Sequence, residues 1–174
     1  MLTGDLVRLR AFEPSDAELI WRWNNDPEVG RWMFGGYPES AARIAERFEK
    51  LPRNSYASTF LGIEPLDAPR LIGSVRLRDA APETGAAELD LRIGDKDYWG
   101  RGYATDTMRV ICRYGFDEMR LHRIALTVVA DNVSARRVYE KVGFVEEGRQ
   151  RECFRRDGKW HDMIVMGLLE GELR

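Results

Sequence analysis

Residues 86 to 119 constrain the fold more than any other stretch. "AAELDLRIG" (86 to 94) alternates apolar and charged residues as a strand does. "YWGRGYAT" (98 to 105) then sets Gly100, Gly102 and Ala104 at alternate positions, after which the period turns helical through Met119. In that helix Ala104, Met108, Ile111, Cys112 and Gly115 trace one face. "HRIALTVVA" (122 to 130) follows as a β-branched, buried strand, so the chain returns to a sheet after the helix. At the turn, unpaired N–H groups and the positive end of a helix dipole converge on one spot, which suits an anion, and phosphate best.

The flanking sequence fills out a mixed α/β domain spanning residues 1 to 174. "DLVRLRAF" sets Leu6, Arg8 and Arg10 against Val7 and Leu9 and breaks at Pro14, which reads as a first strand. Ser15-Asp16-Ala17-Glu18 is a capping-box arrangement that predicts a helix to about Asn24. Residues 24 to 40 mix turn formers with Trp32, Phe34 and Tyr37, and a short helix and a loop are expected there.

"ESAARIAERFEKL" puts Ala41, Ile44, Ala45 and Phe48 on one helical face. "SYASTFLGIE", "RLIGSVRLRD" and "AAELDLRIG" then form an antiparallel meander. "NVSARRVYEKVGF" is a helix ended by Gly143, and residues 144 to 156 and 159 to 169 pair around Asp157-Gly158. The order β, α, α, β, β, β, α, β, α, β, β predicts one mixed sheet with helices on its faces.

A net charge of -2 gives no global positive field to draw in nucleic acid or an anionic membrane surface. Apolar runs such as "VVA" fall far short of the roughly 20 residues of a membrane span, and "MLTGDLVRLR" lacks the apolar core of a secretory signal. Cys112 and Cys153, far apart and in no C-x-x-C pattern, offer neither a disulfide framework nor a metal site, so a reducing cytoplasm is expected.

Thr105 stands where a dinucleotide fingerprint needs its third glycine, and no Gly-Lys-Ser/Thr follows, so neither a Rossmann nor a Walker-type phosphate loop is completed. With spacing alone, a bare strand-to-helix turn remains equally open. A second block decides more: "DNVSARRVYEKVGF" (131 to 144), about thirty residues after "YWGRGYAT". The pair resembles the GNAT superfamily of acetyl-CoA-dependent N-acetyltransferases, and within it the branch of RimJ/RimL ribosomal-protein N-terminal acetyltransferases and bacterial spermidine acetyltransferases. "WRWNNDPEV" and "RDGKWHDMIVMGLL" extend the likeness over nearly the whole chain. One departure is Trp99, where the superfamily usually has Gln or Arg.

The resemblance implies a mostly antiparallel sheet of about seven strands, splayed in the middle, with acetyl-CoA held by residues 86 to 120 and 122 to 144. The CoA pyrophosphate is expected on the backbone of Arg101, Gly102, Tyr103, Ala104 and Thr105, beside Trp99 and Gly100. The pantetheine is expected along Leu91 and Ile93, where main-chain groups freed by the splay pair with its amides. An N–H near Ile93 would stabilise the oxyanion. Asn132 is implied as a CoA contact, although a helix cap alone would also account for it, and Arg136, Arg137 and Lys141 are candidates for phosphate.

Tyr139 lies seven residues, two helical turns, beyond Asn132, and its phenol suits a general acid that protonates the leaving CoA thiolate. A core aromatic beside Val138 and Val142 is the other reading. For the base, the strand period sets Glu88, Asp90 and Arg92 on one face. Glu88 acting through water is favoured, with pairing to Arg92 as its alternative role and His122, His161 and Asp162 as competitors. Trp32, Phe34 and Tyr37, with Glu88 and Asp90, are expected to wall the acceptor site.

Basic "RQRECFRRDGK" (149 to 159) reads as a charged hairpin edge. The expected reaction is direct transfer to an amine in a ternary complex, without a metal. The expected acceptor is a protein N-terminal amine or a small-molecule amine, with a polyamine, an aminoglycoside or an amino sugar as alternatives, and a homodimer remains open. A non-catalytic acyl-CoA sensor is the rival of another class.

Overall fold

The computed structural model describes residues 2–35 and 37–174. Among the described residues four α-helices and seven strands follow the expected order. These are β1 (Val7–Arg10), α1 (Ala17–Asn24), α2 (Ala41–Glu49), β2 (Ser58–Pro65), β3 (Gly73–Ala81), β4 (Ala86–Ile93), α3 (Tyr103–Asp117), β5 (Arg123–Val129), α4 (Val133–Val142), β6 (Val145–Arg156) and β7 (Lys159–Leu169). They form one sheet in the order β1-β2-β3-β4-β5-β7-β6, antiparallel at every junction but β4–β5.

Alternation along the strands sorts the two faces. Val75, Leu77, Leu89, Ile124, Leu126, Ile164, Met166 and Leu168 join the main core under α3 and α4, which contribute Tyr103, Met108, Ile111, Tyr139 and Val142. On the other face α1 and α2 make a second core, in which Ile20, Trp23, Ile44 and Phe48 pack with Leu71 and with Phe12, whose ring meets Phe60 of β2 in a tilted contact at 4.6 Å.

Two local expectations give way. The start of the first helix is organised by Asp16, whose carboxylate accepts from Glu13 N–H at 2.8 Å, and not by a box between Ser15 and Glu18. Asp16 is buried and also takes two N–H bonds from Arg10, at 2.8 and 3.0 Å, so it does the capping from inside the fold. No helix forms between α1 and α2 among the described residues; Gly36, within the expected loop, lies outside them. The reason is local competition for backbone donors. Asp26 Oδ1 accepts from Glu28 N–H and Val29 N–H at 2.9 and 3.3 Å, and Asn25 Nδ2 returns to the Trp21 carbonyl, so residues 25 to 30 turn.

The junction that matters for a site is β4–β5. Pairing holds at Ala86–Arg123, Ala87–Ile124 and Glu88–Ala125 and then stops, while β3 follows β4 to Ile93 and β7 follows β5 to Val129. The sheet therefore splays between residues 89–93 and 126–129, as expected.

Candidate active site

The splay leaves one edge of β4 free. Gly94 N–H is taken by the Ile72 carbonyl of the segment entering β3 at 2.9 Å, and successive residues of a strand point their main-chain groups to opposite edges. Leu91 and Ile93 therefore turn their N–H and C=O groups into the opening. The Ile93 carbonyl meets the indole N–H of Trp99 at 2.8 Å, which pins the glycine loop to the end of β4. Trp99 thus contributes a donor to the strand, whatever Gln or Arg does at that position elsewhere.

Past Trp99 the backbone turns through the left-handed region at Gly100 (φ 68°) and Gly102 (φ 90°), the latter being the N-cap of α3. A Cβ at Gly100 would meet nothing, so that glycine serves backbone conformation and access. The first helical hydrogen bond runs from Asp106 N–H to the Gly102 carbonyl at 3.0 Å, and no side chain caps the end. The N–H groups of Tyr103, Ala104 and Thr105 are left for a ligand. Asp106 itself faces inward: its carboxylate accepts from the N–H groups of Asp5, Leu6 and Val7 at 3.2, 2.8 and 3.0 Å, fixing the start of α3 against the entry to β1. Arg101 leans back over the rings of Tyr98 and Tyr103 and donates to the Asp97 carbonyl.

Across the opening, Asn132 caps α4 through Ala135 N–H at 3.4 Å and accepts from the Ser134 hydroxyl. Arg136 donates to the Ala130 carbonyl at 3.4 Å and approaches Glu146 of β6 at 3.5 Å. Tyr139 is buried, and its phenol pKa is pushed up to about 12 by burial, with the Asp90 charge adding to the effect. Tyr139 comes from the α4 face and Asp90 points to the other; the splay is where the two can reach each other.

Glu88 and Asp90 both pair with Arg78 of β3, at 2.5 and 2.9 Å, so the partner of Glu88 is Arg78 and not Arg92. Arg92 lies over Trp23 and donates to Asn24 Oδ1 at 2.7 Å; burial lowers its pKa to about 10, and its Nε has no hydrogen-bond partner among the described residues. Among the other candidates, His122 sits by Glu170 at the start of β5, and Asp162 is bound by Arg149 and Glu152 N–H. His161 Nδ1 meets Asp131 Oδ2 at 2.5 Å. Asp131 carried no signal of its own in the sequence; the antiparallel β5–β7 register brings it beside His161.

The aromatic residues separate. Trp32 packs on Phe154 and His161, while Phe34 is 72% exposed though in contact with Phe154, and Tyr37 is 96% exposed. Of the basic hairpin, most residues are solvated along the sheet edge, but Phe154 and Arg156 turn inward, Arg156 Nη2 donating to the Met33 carbonyl at 2.6 Å.

A free strand edge leading to an uncapped helix N-terminus can take an extended ligand that pairs by amides and carries an anionic group. A site of this kind fits the class of acyltransferases that take their acyl group from a CoA thioester. The chain belongs to the GNAT acetyltransferases: the profile of the acetyltransferase (GNAT) domain matches residues 7–145.

The chain is 32% identical over 171 residues to the putative ribosomal N-acetyltransferase YdaF of Bacillus subtilis (strain 168), covering 95% of this chain and 92% of that protein. It is 31% identical over 167 residues to the spermidine N(1)-acetyltransferase of Vibrio cholerae serotype O1, covering 95% and 94%. The crystal structure of spermidine N-acetyltransferase from Vibrio cholerae in complex with CoA and spermine superposes with a TM-score of 0.85 at 30% identity, over 95% of this chain and 96% of that one. The protein is an acetyl-CoA-dependent N-acetyltransferase acting on an amine.

Proposed function

We propose that acetyl transfer occurs in one ternary complex, with acetyl-CoA threaded along Leu91 and Ile93 and its pyrophosphate on the amides of residues 101 to 105. The observation that carries this reading is the free β4 edge ending at an uncapped helix. Glu88, acting through water, takes the proton of the acceptor ammonium. The amine nitrogen attacks the thioester carbonyl, and the Ile93 N–H stabilises the oxyanion. The C–S bond breaks as the Tyr139 hydroxyl protonates the departing thiolate, and the phenol regains its proton from solvent. Its raised pKa keeps it in the acid form throughout the neutral range.

The acceptor enters on the face that carries residues 24 to 40. A peptide or small-molecule amine is favoured over a polyamine, because Asp26 and Glu28 are already paired with Lys96 and because Arg31, Arg156 and Lys159 stand on the hairpin side. Likeness to YdaF supports the RimJ/RimL-like assignment, whereas the spermidine enzymes support the polyamine reading. The free thiols of Cys112 and Cys153 fit a reducing cytoplasm.

The test is CoA thiol release from acetyl-CoA with an N-terminal peptide amine and with spermidine, using wild type, Glu88→Gln and Asp90→Asn. Turnover of the peptide that falls at least tenfold in Glu88→Gln supports both acceptor class and base; a fall confined to Asp90→Asn moves the base to Asp90. Release with spermidine alone would sink the acceptor assignment.

A further inference from the structure

On the face away from α3 and α4, the segment after α1 crosses the sheet as a strap. One end is held on the β4 side, where Arg92 Nη1 donates to Asn24 and Lys96 reaches Asp26 and Glu28 at 2.8 and 3.0 Å. The other end is held by the β6–β7 hairpin through Arg156 and the Met33 carbonyl and through Trp32, whose ring meets His161 edge to face at 5.4 Å. At this second end lies a cavity of about 420 Å³ lined by Arg31, Trp32, Asp131, Arg156, Asp157, Lys159 and His161.

Three cationic side chains face two carboxylates, those of Asp131 and Asp157, in the cavity. Arg31, Arg156 and Lys159 form no salt bridge among the described residues; Arg156 lies over the Phe154 ring, and its Nε is buried with no hydrogen-bond partner among those residues. Asp131 is committed to His161. The Arg31 guanidinium carbon lies 4.9 Å from the centroid of the Trp32 ring, a cation–π contact that holds the group at the cavity wall. What the cavity offers a ligand are the N–H donors of Arg31 and Lys159, neither of which is paired with a carboxylate among the described residues. His161, held through Nδ1 by Asp131, is left with Nε2 for whatever enters.

We infer that this cavity binds the anionic group of the acetyl acceptor, so the preferred acceptor is an amine that also carries a carboxylate or a phosphate. The link to turnover rests on the acetyltransferase reading above; the anion site rests on the cavity alone. Guanidinium groups pair with either anion in charge-assisted, bidentate fashion, and the same field opposes a second ammonium, which separates such acceptors from polyamines.

The chain has two histidines, His122 and His161, so ring ¹⁵N signals report the cavity with an internal control. Titration with acetate and, separately, inorganic phosphate is expected to move the His161 signals saturably and leave His122 in place, the tighter of the two naming the group. Lys159→Glu, at an exposed position, is expected to abolish the shift, and Arg31→Ala to weaken it. In thiol-release assays a dipeptide with a free carboxylate is expected to exceed its C-terminal amide about tenfold in kcat/KM, as one charge-assisted pair allows, with the preference lost in Lys159→Glu. A silent His161, a shift that persists in Lys159→Glu, or equal use of acid and amide would each overturn the inference. A responding His161 with thiol release from no amine would leave the anion site standing and remove the acceptor reading instead.

Discussion

Two regions of the molecule are built from different materials. The region proposed to hold the cofactor, β4 with the start of α3, presents backbone: strand amides at Leu91 and Ile93 and helix amides at residues 103 to 105, aimed by two left-handed glycines. The region proposed for the acceptor, the strap and the β6–β7 hairpin, presents side chains: Trp32, Arg156, Lys159 and the His161–Asp131 pair. Backbone donors are fixed by secondary structure and tolerate many side chains, so that side can serve every member of a family. Side-chain walls change with each substitution, so specificity resides there.

Tyr139 stands between the two sides, and its removal should be the largest effect. Tyr139→Phe is expected to lower kcat by about 10² to 10⁴-fold, the range for a lost general acid, with acetyl-CoA affinity within twofold of wild type by calorimetry. Weakened cofactor binding would show that the phenol belongs to the cofactor side.

The same residue gives a pH signature. Its folded pKa of about 12 exceeds the reference value of 10, so the folded state holds the proton longer than the unfolded chain. The stabilisation is whole below pH 10 and is lost as pH rises from 10 to 12, by about 2 to 3 kcal/mol. Denaturant unfolding of wild type should show that loss and Tyr139→Phe should lack it, while the burial-raised thiol of Cys112 contributes equally to both.

Gly102→Val probes the backbone side alone. Its φ of 90° disfavours any side chain, at a cost of about 1 to 2 kcal/mol, and acetyl-CoA Kd is expected to rise about tenfold with acceptor KM little changed. Trp32→Ala is the converse and the smallest: acceptor KM should rise about three- to tenfold, the worth of one aromatic contact pair, with acetyl-CoA Kd unmoved. If both variants shift both constants, the division of labour fails.

The elements of the proposed cofactor side were legible in the sequence because their signals are local. The alternation of "AAELDLRIG", the spacing of Gly100 and Gly102, and the Asn132 and Gly143 caps each act within a few residues, and each is where it was expected. The contacts around the proposed acceptor side were not. Trp32, Phe34 and Tyr37 look alike in sequence, yet only Trp32 becomes part of a packed wall, because the strap is tied by Arg156 from 123 residues away. Glu88 was weighed against Arg92, its neighbour on the same strand face, but the cross-strand register presents Arg78 instead.

The sequence by itself determined the elements, their order and the turn that aims helix amides at an anion, since periodicity, caps and glycine conformations are properties of neighbouring residues. Only the tertiary structure decided which charges meet: Asp106 with the amides of residues 5 to 7, Asp131 with His161, Glu88 and Asp90 with Arg78. Those partnerships depend on strand order and register, which bring together residues that no local pattern relates, and burial then sets how strongly each pair must be satisfied.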